Sequence, residues 1–334
     1  MRYDDQIIII YDFLLAFLSI SIIILVVLLL IFCKKKPIKA EETLRPAKRF
    51  ACSYSLMEID AATERFNDRR VIGKGHLGTV YAAVMPPNGE IVAVKRIHPW
   101  LVLNNPGFGF SSKLKWLSLA ENPHLVPVLG FSEAPGERII VMEFGGMLSL
   151  DFYLHQNSDG AALMDWQRRL RIAAGVARGI EYLHEVVAPP IIHGCIKPSN
   201  ILIDEKFRAK ISDYGLYFMA ARERQGLVGY VDEEYWLEKR GASKESDIYG
   251  FGVVLLELLS GKKSEQGLLV KWAIPLIKGM KFSDLLDPRL AIPCDIKPLV
   301  RLARVALACV GNSRKSRVSI VQVATILNNL EIEL

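Results

Sequence analysis

The chain has 334 residues, with 42 lysine and arginine residues against 36 aspartate and glutamate residues, and a hydrophobic content of 51%. This length predicts one large or two small domains. No basic stripe interleaved with aromatic residues is present, so nucleic-acid binding is not indicated. The five cysteines are scattered without paired spacing, which argues against a disulfide framework and indicates free thiols.

The first feature along the chain is an almost uninterrupted apolar run over residues 13–33. As a helix this run would span roughly 31 Å, about the thickness of a bilayer's hydrocarbon core. Three lysines (34–36) follow it, whereas aspartates outweigh the single arginine before it. The positive-inside rule then places residues 1–12 outside as a short extracytoplasmic N-terminus and the bulk of the chain in the cytosol. We expect a single-pass protein, located at the plasma membrane.

The alternative for this run is a cleaved signal peptide. The run is too long for one, the segment before it is acidic, and no small-residue cleavage site precedes the lysines. A retained transmembrane helix over residues 13–33 is therefore the prediction. The dozen or so residues ahead of it leave no room for an external ligand-binding domain, since a domain that folds alone usually needs more than about 40 residues.

Residues 34–53 have the composition of a basic juxtamembrane linker. They contain two prolines and no apolar period, and residues 34–50 hold seven lysines and arginines against Glu41 and Glu42. Such a segment is attracted to anionic inner-leaflet lipid by on the order of 1 kcal/mol per basic residue near the surface. At the membrane edge, Cys33 is either palmitoylated or an unmodified apolar residue, and the sequence leaves both open.

A β-rich part of the chain follows the linker. Leu56, Ile59, Ala62 and Phe66 recur at helical spacing and predict a short amphipathic helix that ends at residues 67–68. Residues 71–95 are typical of three strands separated by a glycine-rich turn and by a proline-glycine turn at 86–89. A helix over residues 114–120 and strands over 126–131 and 139–143 complete this part.

The chain then becomes mostly helical. Helices are predicted over residues 166–185, 247–259, 298–310 and 319–330, and the second is apolar nearly all round, which indicates a buried central helix that ends at Gly261. A β-rich part followed by a helical part, with a hinge near residue 145, indicates a two-lobed α+β arrangement. The predicted domain covers residues 54–334, with a small lobe over about 70–144 and a large lobe over about 145–331.

Several motifs occur in order along these two parts. The residues from Gly73 to Val80 fit G-x-G-x-x-G-x-V, and Lys95 ends the strand sequence V-A-V-K. Residues 193–200 read H-G-C-I-K-P-S-N and residues 213–215 read D-Y-G. They resemble the Gly-rich loop, the strand lysine, the catalytic loop and the D-F-G motif of protein kinases.

Two further stretches narrow the resemblance. Ala62, Thr63 and Phe66 fit an x-A-T-x-x-F helix, and residues 246–252 resemble the start of the central large-lobe helix. Residues 50–330 therefore resemble the cytoplasmic part of a plant receptor-like kinase, a Pelle-like serine/threonine kinase. The resemblance implies a two-lobed protein kinase fold with a β-rich small lobe and a helical large lobe.

The resemblance also implies ATP and Mg²⁺ as cofactors, with weak or absent binding left open. The residues that match the family's nucleotide-binding positions are Gly73, Gly75, Gly78, Val80, Ala93, Lys95 and Glu143. The metal-binding positions fall on Asn200 and Asp213. Glu234 and Arg317 occupy the positions of the family's long-range structural ion pair.

The catalytic loop departs from the family's pattern. Cys195 stands where the family has the aspartate that accepts the proton of the substrate hydroxyl, and Gly194 replaces the arginine that contacts a phosphorylated loop. A thiol with a pKa of about 8.5 is a poor acceptor and cannot replace a carboxylate. His193 and Lys197 remain, so the loop is degenerate and no catalytic set is intact. A nucleophilic role for Cys195 is the less favoured alternative to a position no longer used in catalysis.

Two other parts of the mechanism are also missing. The partner carboxylate of Lys95 falls on Lys113, and no aspartate or glutamate lies between Glu90 and Glu121. We expect Lys113 to repel Lys95 if its helix faces inward. Between Gly215 and Gly229 the only hydroxyl belongs to Tyr217, and Leu227 replaces the threonine that contacts the catalytic aspartate. Residues 232–234, D-E-E, also depart from the family's A-P-E or D-P-E.

The sequence therefore predicts a membrane-anchored pseudokinase without an ectodomain, in which ATP binding can survive. It would act as a signalling adaptor or allosteric partner of a transmembrane receptor or an active receptor kinase. One alternative is a weakly active serine/threonine kinase, because phosphoryl transfer depends mostly on positioning and electrostatics. A second is a purely structural membrane scaffold.

Overall fold

The structure is a computed structural model that describes residues 17–22, 50–86, 89–104, 109–157, 164–220, 226–236 and 241–333. The chain divides into two compact units, Met1–Arg49 and Phe50–Leu334. In the first unit, residues 17–22 are helical with exposed side chains. The rest of the predicted transmembrane run and residues 34–49 of the linker lie outside the described residues. Among the described residues, no helix has both the length and the apolar character that a bilayer crossing requires.

A six-stranded sheet forms the small lobe of the second unit, with the strand order β1-β5-β6-β4-β3-β2. Its strands are β1 (Cys52–Ser53), β2 (Val71–Lys74), β3 (Gly78–Met85), β4 (Glu90–Ile97), β5 (Val128–Ala134) and β6 (Glu137–Glu143). All neighbours pair antiparallel except β1 and β5, which pair in parallel. The sheet thus begins inside the segment predicted as linker, because a two-residue strand has no periodicity that sequence reasoning could detect.

Helix α1 (Leu56–Ala62) covers the outer face of this sheet. Ser55 caps it in a capping box with Glu58, and Ile59 and Ala62 pack against β-strand residues such as Val94. The helix ends before the predicted 67–68, because residues 64–66 all have positive φ angles. The sequence spacing of Phe66 is therefore helical although its backbone is not.

The inner face of the sheet carries two short helices, α2 (Pro99–Asn104) and α3 (Phe110–Leu117). Helix α3 begins four residues earlier than the predicted 114–120, directly after Gly109 in a left-handed conformation. It buries Phe110, Leu114 and Leu117, which lie on one face at i, i+4 and i+7. This packing fixes which way the remaining residues of α3, including Lys113, can point.

The large lobe is helical as predicted. Its helices are α4 (Trp166–Glu181), α5 (Glu233–Trp236), α6 (Lys244–Ser260), α7 (Leu268–Lys278), α8 (Phe282–Leu285), α9 (Lys297–Cys309) and α10 (Ile320–Glu333). Helix α6 is buried along almost its whole length and ends at Gly261, whose φ of 65° is the left-handed cap expected of glycine. It is the central helix that its all-round apolar sequence predicted.

A second, three-stranded sheet lies where the lobes meet. It consists of β7 (Leu148–Ser149), β8 (Ile201–Ile203) and β9 (Ala209–Ile211), all antiparallel. The chain crosses between the lobes after β6 ends at Glu143, close to the predicted hinge at 145. Asn200 immediately precedes β8 and Asp213 follows β9, so this small sheet holds both beneath the small lobe.

Candidate active site

A cleft of about 570 Å³ lies between the small-lobe sheet and the three-stranded sheet. This volume is within the range of ordinary small-molecule sites. Its lining includes all the residues that the resemblance assigns to nucleotide binding and to metal binding. They are Gly73, Gly75, Gly78, Val80, Ala93, Lys95, Glu143, Asn200 and Asp213. Lys197 lines the same cleft, whereas His193, Gly194 and Cys195 line a small cavity beside it that shares Asn200 and Asp213 with the cleft.

The β2–β3 hairpin forms the roof of the cleft, and its glycines serve different purposes. A Cβ on Gly78 would lie 2.0 Å from the carbonyl oxygen of Arg96, so this glycine is needed for the pairing of β3 with β4. A Cβ on Gly73 or Gly75 would meet nothing closer than 3.9 Å. Those two glycines leave the backbone open to close approach by a ligand.

At the inner end of the cleft, Lys95 pairs with Asp213. Both side chains are about nine-tenths buried, and the Lys95 ammonium donates to both carboxylate oxygens. Burial by itself would raise the pKa of Asp213, but the charge and hydrogen bonds of Lys95 outweigh it and lower that pKa. The carboxylate is therefore ionised at neutral pH, which is the form that a metal ligand requires.

Lys113, at the position of the missing glutamate, lies among aromatic rings. Its ammonium is 5.5 Å from the ring centroid of Trp116, 5.9 Å from that of Tyr217 and 5.5 Å from that of Phe218. Ring faces attract a cation electrostatically at such distances. These three rings thus stabilise Lys113 without a carboxylate, and Lys95 has Asp213 as its partner instead.

The backbone of the catalytic loop is held by Asp247 at the start of α6. Its two carboxylate oxygens accept the N–H groups of His193 and Gly194, both at 2.8 Å. The His193 ring donates from Nε2 to the Ser212 carbonyl (3.0 Å) and accepts at Nδ1 from the Cys195 N–H (3.2 Å). Burial lowers the pKa of His193, which keeps the ring neutral and allows this pattern. His193 thus orders the loop through contacts that need no substrate.

Cys195 is buried beside an apolar cluster, and its Sγ lies 3.9 Å from the Gly226 carbonyl oxygen. It packs with Leu227, Val231 and Tyr235 in a small cluster, and burial raises the pKa of its thiol to about 11. The cavity beside it measures only about 20 Å³, about the size needed for one water molecule. A protonated, buried thiol is neither a base nor a nucleophile at neutral pH, which removes the physical basis for the nucleophile alternative.

The residues between Gly215 and Gly229 correspond to the activation segment of the family, and Leu227 in this segment is the counterpart of the change at Cys195. The family pairs a catalytic aspartate with a threonine at these two positions, according to the resemblance, and here the pair is a thiol and a leucine that are buried in one cluster. Two polar partners have thus been replaced by two apolar ones. Restoring only one of them would place a buried polar group against an apolar side chain, which is unfavourable.

Gly194 is fixed by Tyr217. Its φ of 87° lies in the left-handed region, and a Cβ would come within 2.5 Å of the Tyr217 Cβ. The tyrosine belongs to a short 3₁₀ helix, Leu216–Ala220, that lies directly against the catalytic loop. No arginine fits at position 194 while Tyr217 lies against it. The absence of the arginine and the position of the 3₁₀ helix therefore depend on each other.

A polar contact joins the hairpin tip to the large lobe. The Lys197 ammonium donates to Nδ1 of His76 (3.2 Å) and to the carbonyl of Gly226 (3.0 Å). Burial, aided by the charge of Lys197, lowers the pKa of His76 to about 4, so its ring is neutral and can accept. We call the set His76, Lys197 and Gly226 the His76 bridge. It lies beside Cys195, whose Sγ is 3.9 Å from the same Gly226 carbonyl oxygen.

The structural ion pair involves Asp232, not the Glu234 that the resemblance indicated. Arg317 pairs with Asp232, and Arg314 reaches the same carboxylate through two hydrogen bonds of 3.0 Å. Glu234 instead accepts the backbone N–H of Arg314 at 2.9 Å. Asp232 lies just before α5 and is only 3% exposed, because it packs against the two arginines.

The cleft residues fit a nucleotide with Mg²⁺. Open backbone at Gly73 and Gly75 and the ammonium of Lys95 would meet phosphate groups, and ionised Asp213 would hold a cation. Asn200 uses its amide N–H₂ to donate to the Cys195 carbonyl (3.0 Å), and its amide oxygen makes no hydrogen bond to another described residue. When bound, Mg²⁺ neutralises phosphate charge and orients the phosphates.

Three features of the site were not predicted from the sequence. The first is the His76 bridge, whose only signal is a histidine at the hairpin tip. The second is the contact of Tyr217 with Gly194. The third is the ion pair at 2.8 Å between Lys210 and Glu143, a residue that the resemblance had assigned to nucleotide binding without this partner. Each depends on a contact between residues that are distant in sequence, and no local sequence pattern predicts such a contact.

Comparisons with known proteins agree with the fold and the motifs. The family model described as protein kinase domain matches residues 66–270. The chain is 35% identical to a probable serine/threonine-protein kinase, PBL6 of Arabidopsis thaliana, over 84% of this chain and 69% of that protein. It is 35% identical to the leucine-rich repeat receptor protein kinase EMS1 of Arabidopsis thaliana over 82% of this chain but only 24% of that protein.

A solved structure adds to this. The pseudokinase domain of BIR2, described as an immune regulator of the RLK/Pelle family, matches with a TM-score of 0.70 and 32% identity, over 83% of this chain and 86% of that one. Sequence and structure agree on the same group of proteins. The chain belongs to the protein kinase family and, within it, to the plant receptor-like (Pelle) group.

Proposed function

We propose that this chain is a pseudokinase, which keeps the kinase fold and its nucleotide cleft but acts through protein partners instead of phosphate transfer. The observation that carries the proposal is the burial of Cys195 against Leu227, at the place where a base and its partner would act. The thiol is protonated at neutral pH, since burial raises its pKa to about 11. No ionised group at this position can accept the proton of a substrate hydroxyl.

Other departures weaken the same mechanism. Lys113 is held among aromatic rings, so Lys95 has no helix carboxylate to position it. Tyr217 fills the space of the loop arginine, and no serine or threonine lies between Gly215 and Gly229. The groups that maintain the fold, including Asp247 and His193, remain hydrogen bonded. Selective loss of this kind supports an adaptor or allosteric partner better than an efficient enzyme.

The membrane part of the proposal rests on the sequence. Residues 13–33 would form a single transmembrane helix with the N-terminus outside and the kinase-like domain in the cytosol, at the plasma membrane. The basic residues of segment 34–50 would contact anionic inner-leaflet lipid. The partner would be a transmembrane receptor or an active receptor kinase. The names of the relatives, among them a receptor protein kinase and an immune regulator, support this choice of partner.

Phosphate transfer by the purified chain tests the central claim. We expect radiolabel transfer from ATP to the chain itself, or to a general kinase substrate, to equal that of a Lys95→Met control. An active kinase from the same group would provide the positive control. Turnover in the range of roughly 1–100 s⁻¹ that is typical of kinases, and lost in Lys95→Met, would refute the proposal.

Nucleotide binding is tested separately by thermal unfolding. We expect ATP with Mg²⁺ to raise the midpoint, because a ligand that binds only the folded state stabilises it by about 2.7 kcal/mol at a hundredfold excess over its Kd. Lys95→Met should reduce the shift, and EDTA should do so as well if Asp213 holds a cation. An unchanged midpoint would favour the structural-scaffold alternative, in which the chain binds no nucleotide.

The alternative function is a weakly active serine/threonine kinase. The intact lining of the cleft favours it, since Gly73, Lys95, Asn200 and Asp213 all face one space. Cys195→Asp distinguishes the two functions. A large gain of activity from this change alone would indicate a kinase with a single defect, whereas we expect little gain because Leu227 and Lys113 remain.

A further inference from the structure

A second, separate groove lies on the large lobe, and its lining is strongly basic. It has a volume of about 410 Å³ and is lined by Pro123, His124, Arg171, Arg178, Lys206, Arg208 and Glu331. We call it the basic groove. None of these residues lines the nucleotide cleft, so its chemistry is independent of the candidate active site.

Three elements bring these charges together. Arg171 and Arg178 are seven residues apart on α4 and therefore lie on the same face of the helix. Lys206 and Arg208 occupy the turn between β8 and β9, and Glu331 belongs to the last helix, α10. The fold thus collects four cations from distant parts of the chain on one concave surface.

The cations are only partly neutralised. Arg178 pairs with Glu331 and donates to the Asn328 side chain at 2.8 Å, while Arg171 is 3.9 Å from the same glutamate. Arg208 pairs with Asp204 at 2.7 Å.

The remaining cation, Lys206, is exposed, and its ammonium forms no ion pair with another described residue. Four positive charges therefore face two negative ones, which leaves a surplus of two.

The exposure of these groups shows that the fold does not require all of them. The side chains of Arg171 and Arg208 are 43% and 58% exposed, and exposed ion pairs of this kind contribute at most about 1 kcal/mol to stability. His124 is part of the groove wall, where burial lowers its pKa and its Nδ1 contacts the Ala209 carbonyl at 3.0 Å. Its neutral ring adds no repulsion and sets the position of the wall.

We propose that the basic groove docks a phosphorylated peptide segment of a partner protein. Three guanidinium groups line it, and the planar guanidinium fork matches phosphate oxygens in a two-point contact. An incoming phosphate would displace the carboxylate of Glu331, which now contacts Arg171 and Arg178. The chain's own segment 34–50 is not a suitable occupant, because its charge has the same sign as the groove. The groove goes beyond the proposed function, since it would dock such a segment whether or not the chain transfers phosphate.

Binding of a defined probe by the full 334-residue chain in detergent tests this. The probe is a fluorescein-labelled peptide with two phosphoserines, compared with its unphosphorylated form and its glutamate-substituted form by fluorescence anisotropy at about 0.15 M ionic strength. We expect the phosphorylated peptide to bind most tightly. Arg171→Glu and Arg208→Glu should each weaken it roughly tenfold, because a reversed charge faces the phosphate.

Two further variants separate the groove from general charge effects. Lys271→Glu makes the same charge change at an exposed residue of α7 outside the groove, and it should alter the affinity by less than about twofold. Glu331→Gln should tighten binding, since it removes the carboxylate that competes for the arginines. Thermal midpoints near that of the unchanged chain would show that the variants fold.

Four results would overturn the proposal. The first is that the phosphorylated peptide does not bind, and the second is that Lys271→Glu weakens its binding as much as the groove variants do. The third is that the glutamate-substituted peptide binds as tightly as the phosphorylated one. The fourth is that the groove variants lose binding to phosphatidylserine vesicles but not to the peptide. The last result would assign the groove to a lipid surface instead of a peptide. Tighter binding by Glu331→Gln together with weaker binding by Arg171→Glu would support it.

Discussion

At position 195, a thiol in place of a carboxylate changes both the charge and the packing of the catalytic loop. An ionised aspartate beside Leu227 would be a buried charge against an apolar side chain, whereas a thiol behaves as a small apolar group. The two replacements are therefore physically consistent with each other. Correcting one alone should not restore a working site, which is why we expect little from Cys195→Asp.

The state of this thiol can be measured directly by alkylation with iodoacetamide. Because its pKa is raised to about 11, only about one thiol in a thousand is ionised at pH 8, and labelling of Cys195 should become appreciable only as the pH approaches 11. Exposed Cys52 and Cys294 should react rapidly, and buried Cys309, whose pKa burial raises to about 12, should behave like Cys195. Mass spectrometry of the peptides measures each site.

The chain unfolded in urea provides the control, in which all cysteines should react at similar rates. Labelling of Cys195 as fast as that of Cys294 in the folded chain would contradict this picture. It would mean that the loop opens often or that the thiol is ionised.

At the level of elements, one carboxylate ties the start of α5 to the segment after α9. The nearly fully buried carboxylate of Asp232 forms ion pairs with Arg314 and Arg317. Burial acts to raise the pKa of Asp232, but the hydrogen bonds and charges of both arginines outweigh it and lower that pKa. The arrangement holds the end of the activation segment against the helical lobe without any phosphorylated residue.

Asp232→Ala should therefore destabilise the protein. Removing one partner of a buried ion pair leaves the other charges unpaired and costs roughly 3–5 kcal/mol, measured by urea unfolding at pH 7. Because the folded pKa lies below the unfolded one, this stabilisation is present above about pH 4 and is lost as the pH falls further. The difference between the two proteins should shrink accordingly in acid.

Glu234→Ala is the matched comparison, since the resemblance to the family had assigned the ion pair to that residue. Its carboxylate accepts a backbone N–H of Arg314, so we expect a smaller loss than for Asp232→Ala. A larger loss for Glu234→Ala would restore the original assignment.

For the whole molecule, the order of motifs predicted the two-lobed fold, the hinge and the lining of the cleft. Those features follow from local patterns such as the glycine-rich hairpin and the apolar face of α6. The sequence could not predict that the ion pair with Arg317 uses Asp232 and not Glu234. Both carboxylates lie within one helical turn, and only packing decides which one is buried. The contact of Tyr217 with Gly194 depends on how the activation segment lies, which no periodicity specifies.

The His76 bridge is another contact that local sequence patterns do not predict, and it links the two lobes near Cys195. A net hydrogen bond contributes about 0.5–1.5 kcal/mol, so its loss should increase local opening by roughly two- to tenfold. We expect His76→Ala to speed amide hydrogen exchange around Gly226 and Leu227 by that factor, while global stability changes little. His98→Ala is the control, because His98 contacts the Gly75 carbonyl at 2.9 Å and so joins two parts of the small lobe only. Equal acceleration around Gly226 in both variants, or none in His76→Ala, would show that the bridge does not hold the segment. If the bridge does hold the segment, the β2–β3 hairpin covers both Cys195 and the cleft, and a partner that draws the hairpin away would open both.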